Sequence, residues 1–300
     1  MEVLSMKRTA ILLFALLFST FAMSGCKKEQ GAIDSETERQ SQTQYQDMIE
    51  LGDFTIKQCG EGAEEHGLQP TDYYIVKYNG TDETPILPTK TEDGSPIAAI
   101  GKWAFANSEN LKNVTIPDSY TAINSNAFYG CQSLLSVTLG SGISYISEWE
   151  VFSYCNNLTE FIVSNQNPHY YVDGNCLIDR RTNSVIYGCK NSVIPEGIER
   201  IGTCAFCEIE TLEQINIPQS VTEIGADAFF GATNLIEIYL HKNIITIGFG
   251  AFLKCPKLTI YCEVQKKPEK WDNSWIDSEG ERYIPATVYW GCNAEDFPVT

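Results

Sequence analysis

Residues 214–235 read Gln-Ile-Asn-Ile-Pro-Gln-Ser-Val-Thr-Glu-Ile-Gly-Ala-Asp-Ala-Phe-Phe-Gly-Ala-Thr-Asn-Leu, and this stretch decides the fold. Period-two alternation over 214–217 turns Ile215 and Ile217 to one side and Gln214 and Asn216 to the other, as in a half-buried strand. Pro218 ends the strand where no ladder donor is needed. A second short extended piece, 221–225, follows, then Ala228-Phe229 and Leu235. Ile224 lies seven residues after Ile217, and the same offset joins Ile116 to Ile123, Leu139 to Ile146, Ile194 to Ile201 and Leu240 to Ile247. Ile100, Ile123 and Ile146 are 23 residues apart, as are Ile201, Ile224 and Ile247. A fixed period in the twenties means stacked coils, each burying its apolar face against its neighbours. One coil alone does not bury enough to offset the entropy of ordering it, so the coils must stack.

Within the coil, Gly101, Gly202, Gly225 and Gly248 follow the anchoring isoleucines, which predicts either a positive φ or a close backbone approach. Asn124 in that slot favours the positive φ, and Ser147 predicts a distortion. Ala104, Ala127, Ala205, Ala228 and Ala251 predict a short, tightly packed helical turn. Val151 replaces that alanine in a coil one residue longer than the others, so Phe128 to Phe152 is 24.

The chain has 11 cysteines. Cys131, Cys155 and Cys255 each fall three residues after a repeat phenylalanine, in a slot that elsewhere holds Ser108, Ile209 or Ala232. They therefore read as small buried side chains and not as a disulfide framework. Cys204 and Cys207 have zinc or redox spacing, but the repeat itself dictates the Ala-Phe between them, and no second pair lies at zinc-ribbon spacing.

These residues resemble the BspA-like, or Treponema pallidum-type, leucine-rich repeat family. The family pattern is a leucine, a strand ending in Ile-Pro, Val-x-x-Ile-Gly, then Ala-Phe; here it runs through Leu212, Ile217-Pro218, 221–225, Ala228-Phe229 and Leu235. The resemblance covers about residues 85–262. It implies a leucine-rich repeat solenoid with short stacked parallel strands on one face and short extended and helical turns on the other, capped at both ends. Residues 47–84, with strand-like Phe54-Thr55-Ile56 and Tyr73-Tyr74-Ile75-Val76, are expected to cap one end. Residues 263–300, which contain Trp271, Trp275 and Trp290, are expected to cap the other. The stretch 165–190 breaks the period and is similar to the longer coil such proteins carry, with Asp173-Gly174 at a turn.

The N-terminus reads separately. Lys7 and Arg8 precede an apolar run over 11–23 that is too short to span a bilayer, and Met23-Ser24-Gly25-Cys26 follows. This is similar to a bacterial lipoprotein signal: residues 1–25 would be removed, Cys26 acylated, and 26–46 left as a polar, disordered tether. The alternative is an ordinary secretory signal with an incidental cysteine. The expected location is the cell surface, outside the cytoplasm, on a lipid anchor and with no other membrane contact.

A net charge of −18 argues against nucleic acid and against basic docking on anionic lipid. The sequence contains no phosphate-cradling glycine loop, His-Glu-x-x-His or serine elbow, and His66, His169 and His241 are dispersed. No enzyme, metal or cofactor is expected. The systematic exposed array is the outward set on the stacked strands: Thr115, Thr138, Glu160, Ile162, Asn216, Glu237, Tyr239, His241 and Tyr261. Ile162, Tyr239 and Tyr261 stand out as contact anchors. The resemblance implies adhesion or protein-ligand capture, with a host matrix or cell-surface protein as partner. The alternatives are a glycan- or peptide-capturing lipoprotein, favoured by a pocket at Tyr239 and Tyr261, and an envelope scaffold.

Overall fold

A computed structural model describes residues 47–60, 68–277 and 284–293. The expected signal segment, Cys26, the tether and His66 lie outside the described residues.

Two similar modules follow one another. In the first, β1 (Met48–Leu51), β2 (Phe54–Gln58) and β3 (Tyr73–Tyr78) form an antiparallel meander. Strand β3 then pairs in parallel with β4 (Ile97–Ile100). The second module opens on β10 (Tyr170–Asp173), β11 (Cys176–Asp179) and β12 (Ser184–Tyr187), again antiparallel. Here β12 pairs in parallel with β13 (Arg200–Ile201). Each meander leads into a stack of three coils. Their short strands are β4, β6 (Ala122–Ile123) and β8 (Tyr145–Ile146) in the first module, and β13, β14 (Glu223–Ile224) and β16 (Thr246–Ile247) in the second. The irregular stretch 165–190 is thus a second three-stranded entry and not simply a longer coil. Its first turn is set by Gly174 and Asn175, both at positive φ (56° and 58°), between the paired Asp173 and Cys176. That is the requirement of a two-residue hairpin matched to strand twist.

The outer strands of the coils form two separate parallel sheets. One is β5 (Asn113–Ile116), β7 (Ser136–Leu139) and β9 (Glu160–Val163). The other is β15 (Glu237–Leu240), β17 (Thr259–Cys262) and β18 (Thr287–Trp290).

The expected helical turns are corrected by the structure: among the described residues there is no helix. Each Ala-Phe, or Val-Phe in the third coil, is bracketed by two left-handed residues four apart. The pairs are Trp103 and Asn107, Asn126 and Gly130, Glu150 and Tyr154, Cys204 and Glu208, Asp227 and Gly231, and Gly250 and Lys254. A right-handed helix has no place for such residues. Between them, alternate amides serve different partners. Phe105, Phe128, Phe206 and Phe229 donate their N–H to the next coil at 2.7–3.0 Å, while Ala106 and Tyr129 close turns within their own coil at 3.1 Å. A helix would consume all of these donors internally and leave none to join coil to coil.

The glycine slot is a close approach. A Cβ at Gly225 would lie 2.7 Å from the Gly202 carbonyl carbon, and one at Gly248 2.5 Å from the Ala226 nitrogen. Asn124 is not left-handed; its N–H and its Nδ2 both donate to the Ile100 carbonyl, at 3.0 and 3.1 Å. The extra residue of the third coil lies between Ser147 and Glu150, because its left-handed position falls four residues after Ile146 instead of three.

The interior is two phenylalanine stacks. Phe105, Phe128 and Phe152 are spaced 5.1 and 5.5 Å apart, and Phe206, Phe229 and Phe252 5.1 and 5.2 Å, each ring facing the next. All six are buried. An edge-on aromatic closes each stack: Tyr187 on Phe152 and Trp275 on Phe252. The described cysteines are unpaired. The repeat thiols do more than fill space, since Cys131, Cys155 and Cys255 each donate to the phenylalanine carbonyl of the preceding coil, at 3.0–3.1 Å.

Candidate ligand-binding face

Each outer strand points every second side chain into the core, where Val114, Val137, Phe161, Ile238 and Ile260 are buried, and the alternate ones outward. Parallel pairing without slippage places those outward residues in columns. In the first sheet, Asn113, Ser136 and Glu160 form one column and Thr115, Thr138 and Ile162 the next. Within the first column, Ser136 Oγ donates to Asn113 Oδ1 at 2.8 Å. An isolated bridge from Ile86 to Thr115 extends the second column by one rung, so two threonines stand between Ile86 (91% exposed) and Ile162 (43% exposed).

In the second sheet, Glu237, Thr259 and Thr287 form one column and Tyr239, Tyr261 and Tyr289 the other. Tyr261 and Tyr289 stack at 5.5 Å with their planes 16° apart. Near Tyr239, the Glu263 carboxylate takes Lys242 Nζ at 2.8 Å and the Lys242 N–H at 2.9 Å. The two Lys242 bonds hold Glu263 below the usual carboxylate range. The tyrosine column therefore rests against an ordered ion pair (Lys242 to Glu263) at its first rung.

Of the expected face residues, Thr115, Thr138, Glu160 and Ile162 fall together on the first sheet, and Glu237, Tyr239 and Tyr261 on the second. Asn216 is exposed but lies outside any named strand, where its coil keeps only the bridge from Gln214 to Glu237. The face is thus two three-stranded patches and not one continuous ladder, because the β10–β12 meander enters between them. His241 is corrected outright: it is fully buried, with Nε2 2.8 Å from the Pro218 carbonyl. Alternation ends at Leu240, and residue 241 occupies the position that Pro218 fills one coil earlier, where the chain turns under its neighbour. Burial lowers the imidazole pKa, and the Pro218 contact opposes that only in part.

Ile86 and Tyr289 were missed. Leu87-Pro88 repeats the strand ending Ile116-Pro117 and would have placed Ile86 on the face. Thr287-Val288-Tyr289 repeats Thr259-Ile260-Tyr261, but 28 residues later, off the period.

A cavity of about 600 Å³ opens elsewhere, on the short-strand side, among Arg200, Glu223, Gly225, Thr246, Gly248 and Trp271. It includes neither Tyr239 nor Tyr261. Among the described residues, no group of three or more His, Cys, Asp or Glu is placed to hold a metal.

A family model described as BspA type leucine-rich repeat region matches residues 89–189 and 182–267, in six copies. Comparison with the curated proteins gives no match. Among solved structures, the chain is similar to the T. pallidum leucine-rich repeat protein, at 22% identity over 71% of this chain and 80% of that one, with a TM-score of 0.41. It is also similar to a leucine-rich repeat protein from Eubacterium ventriosum, at 16% identity over 72% of each chain, with a TM-score of 0.43. A leucine-rich cell surface protein from Faecalibacterium prausnitzii is 18% identical over 83% of this chain and 96% of that one, with a TM-score of 0.33.

Proposed function

The chain belongs to the BspA-type leucine-rich repeat family, and from that membership we propose that it is a lipid-anchored bacterial surface protein that captures a protein ligand on its outer-strand face. The family's solenoids are non-catalytic interaction scaffolds. The observation that carries the reading is the in-register column Tyr239, Tyr261, Tyr289. Tyrosines held by a rigid sheet supply contact area at low entropic cost, and exposed aromatics are the usual anchors of protein interfaces. The column of Ile86, Thr115, Thr138 and Ile162 offers a second, less polar strip suited to the same kind of partner.

Surface display rests on Lys7, Arg8, the apolar run 11–23 and Cys26. Replacing Cys26 with alanine should abolish incorporation of an alkyne-labelled fatty acid and release the protein from the membrane fraction. Retention of label in that variant contradicts anchoring there.

Binding is tested on immobilised matrix proteins and glycans side by side. The expected result is saturable binding to one protein class, weakened about tenfold or more when Tyr239 and Ile162 are both changed to alanine. Binding that those changes leave intact removes the strand face as the site, and binding confined to glycans replaces protein capture with glycan capture.

A further inference from the structure

The coils present a second outward side, made by the left-handed turns. Along it Trp103 and Tyr129 meet edge to face at 5.0 Å and 61°, and Tyr129 and Tyr154 at 5.2 Å and 68°. In an edge-to-face contact the ring that offers its edge keeps its own faces uncovered by that partner, unlike the rings of the stacked Tyr261 and Tyr289. Trp103 and Trp149, the residue before Glu150, are 45% and 56% exposed.

Carboxylates are set among these rings. Glu150 accepts from Asn126 Nδ2 at 2.8 Å, and Glu208, almost wholly buried, lies near Tyr154. One coil set further on, the chain supplies its own occupant for this combination. Lys254 Nζ lies 4.5 Å from the centre of the Phe230 ring and 3.9 Å from Glu208 Oε1. An ammonium between a ring face and a carboxylate is the expected geometry for a cation in such a setting. The other cation–ring contact the structure shows is Arg180 over Tyr171, at 4.6 Å. The chain as a whole carries 39 acidic against 21 basic residues.

We propose that the turn side from Trp103 to Tyr154, with Glu150, is a second interaction surface and that its occupant is an arginine- or lysine-bearing segment of a partner protein. Lys254 on Phe230 and Glu208 is the internal stand-in for that contact. The surface lies on a different side of the coil from the tyrosine column, so it stands or falls separately from the strand-face reading.

The test uses the whole protein and a labelled peptide of alternating arginine and glycine at physiological salt, with a glutamate–glycine peptide and maltohexaose as comparisons. Saturable binding of the basic peptide alone is expected. Trp103→Ala and Tyr129→Ala leave the net charge at −18, and each should weaken binding about fivefold with an unchanged melting temperature. Should either variant melt early, Glu150→Gln, with Glu237→Gln as its equal-charge control on the strand face, decides the same point: only Glu150→Gln should weaken the peptide. Tyr239→Ala should leave it untouched. Basic-peptide binding indifferent to Trp103, Tyr129 and Glu150 means diffuse attraction to an acidic chain and overturns the proposal. Binding of maltohexaose in place of the peptide overturns it too.

Discussion

Tyr187 stands edge-on to Phe152, ring centres 5.2 Å apart and planes at 87°, while its hydroxyl donates to the Ser147 carbonyl at 2.6 Å and accepts the Val151 N–H at 3.3 Å. One residue thus closes the first phenylalanine stack and satisfies backbone groups in the irregular third coil. The next residue, Gly188, lies against Phe206, the first ring of the second stack. The two modules meet at this pair, and the meander that interrupts the period is what supplies it.

Gly188→Ala should be costly. A Cβ there would come within 1.9 Å of Phe206 Cε1, and Phe206 is backed by Phe229 at 5.1 Å, so the ring cannot retreat. Overpacking of this kind costs about 3 kcal/mol. Urea denaturation should show the midpoint falling, and an unchanged midpoint would mean that the ring has room the packing denies it.

Phe229 lies between Phe206 and Phe252 at 5.1 and 5.2 Å and is wholly buried. Phe229→Ala should cost about 3–5 kcal/mol through lost transfer energy and the cavity left between its neighbours. A loss below about 1 kcal/mol in the same denaturation measurement contradicts stacking.

His241 makes stability depend on pH. Its folded-state pKa lies below the ordinary value of 6.5 because burial disfavours the charged ring. Its contribution is therefore intact above about pH 6.5 and is lost as pH falls through the unfolded and then the folded pKa, where the unfolded chain takes a proton that the folded one resists. Melting temperature followed from pH 7.5 down to 5 should decline, and His241→Gln should flatten that part of the curve. A parallel decline in both proteins assigns it to other groups.

The repeat thiols should contribute as donors. Cys131 Sγ reaches the Phe105 carbonyl at 3.0 Å, linking two coils. Cys131→Ala should cost about 1 kcal/mol and Cys131→Ser less, since serine keeps a donor at the site. Equal losses in thermal melts would reduce the thiol to packing alone.

Most of the architecture was legible because it is written as spacing. Isoleucines such as Ile201, Ile224 and Ile247 pair in register, and the phenylalanines between the left-handed residues line up ring on ring. The turns were not legible, because Trp103, Glu150, Tyr154, Cys204 and Lys254 are not residue types that favour positive φ; inter-coil hydrogen bonds impose it on them. On the candidate face, alternation placed Thr115, Ile162, Tyr239 and Tyr261 on their strands but carried one step too far at His241, where the strand had already ended. Tyr289 was lost for the opposite reason: its strand joins the sheet after a segment of non-repeat length.

The junction tests most directly whether the two stacks are coupled through Tyr187 on Phe152 and Gly188 against Phe206. Hydrogen exchange in rising urea, followed separately for peptides from 97–163 and 194–262, measures whether the modules open together. The account predicts a common opening in the unaltered protein, and in Tyr187→Ala a separation in which residues 97–163 lose protection first, by about 3–5 kcal/mol. Modules that already open independently, or a Tyr187→Ala protein in which neither changes, would contradict it.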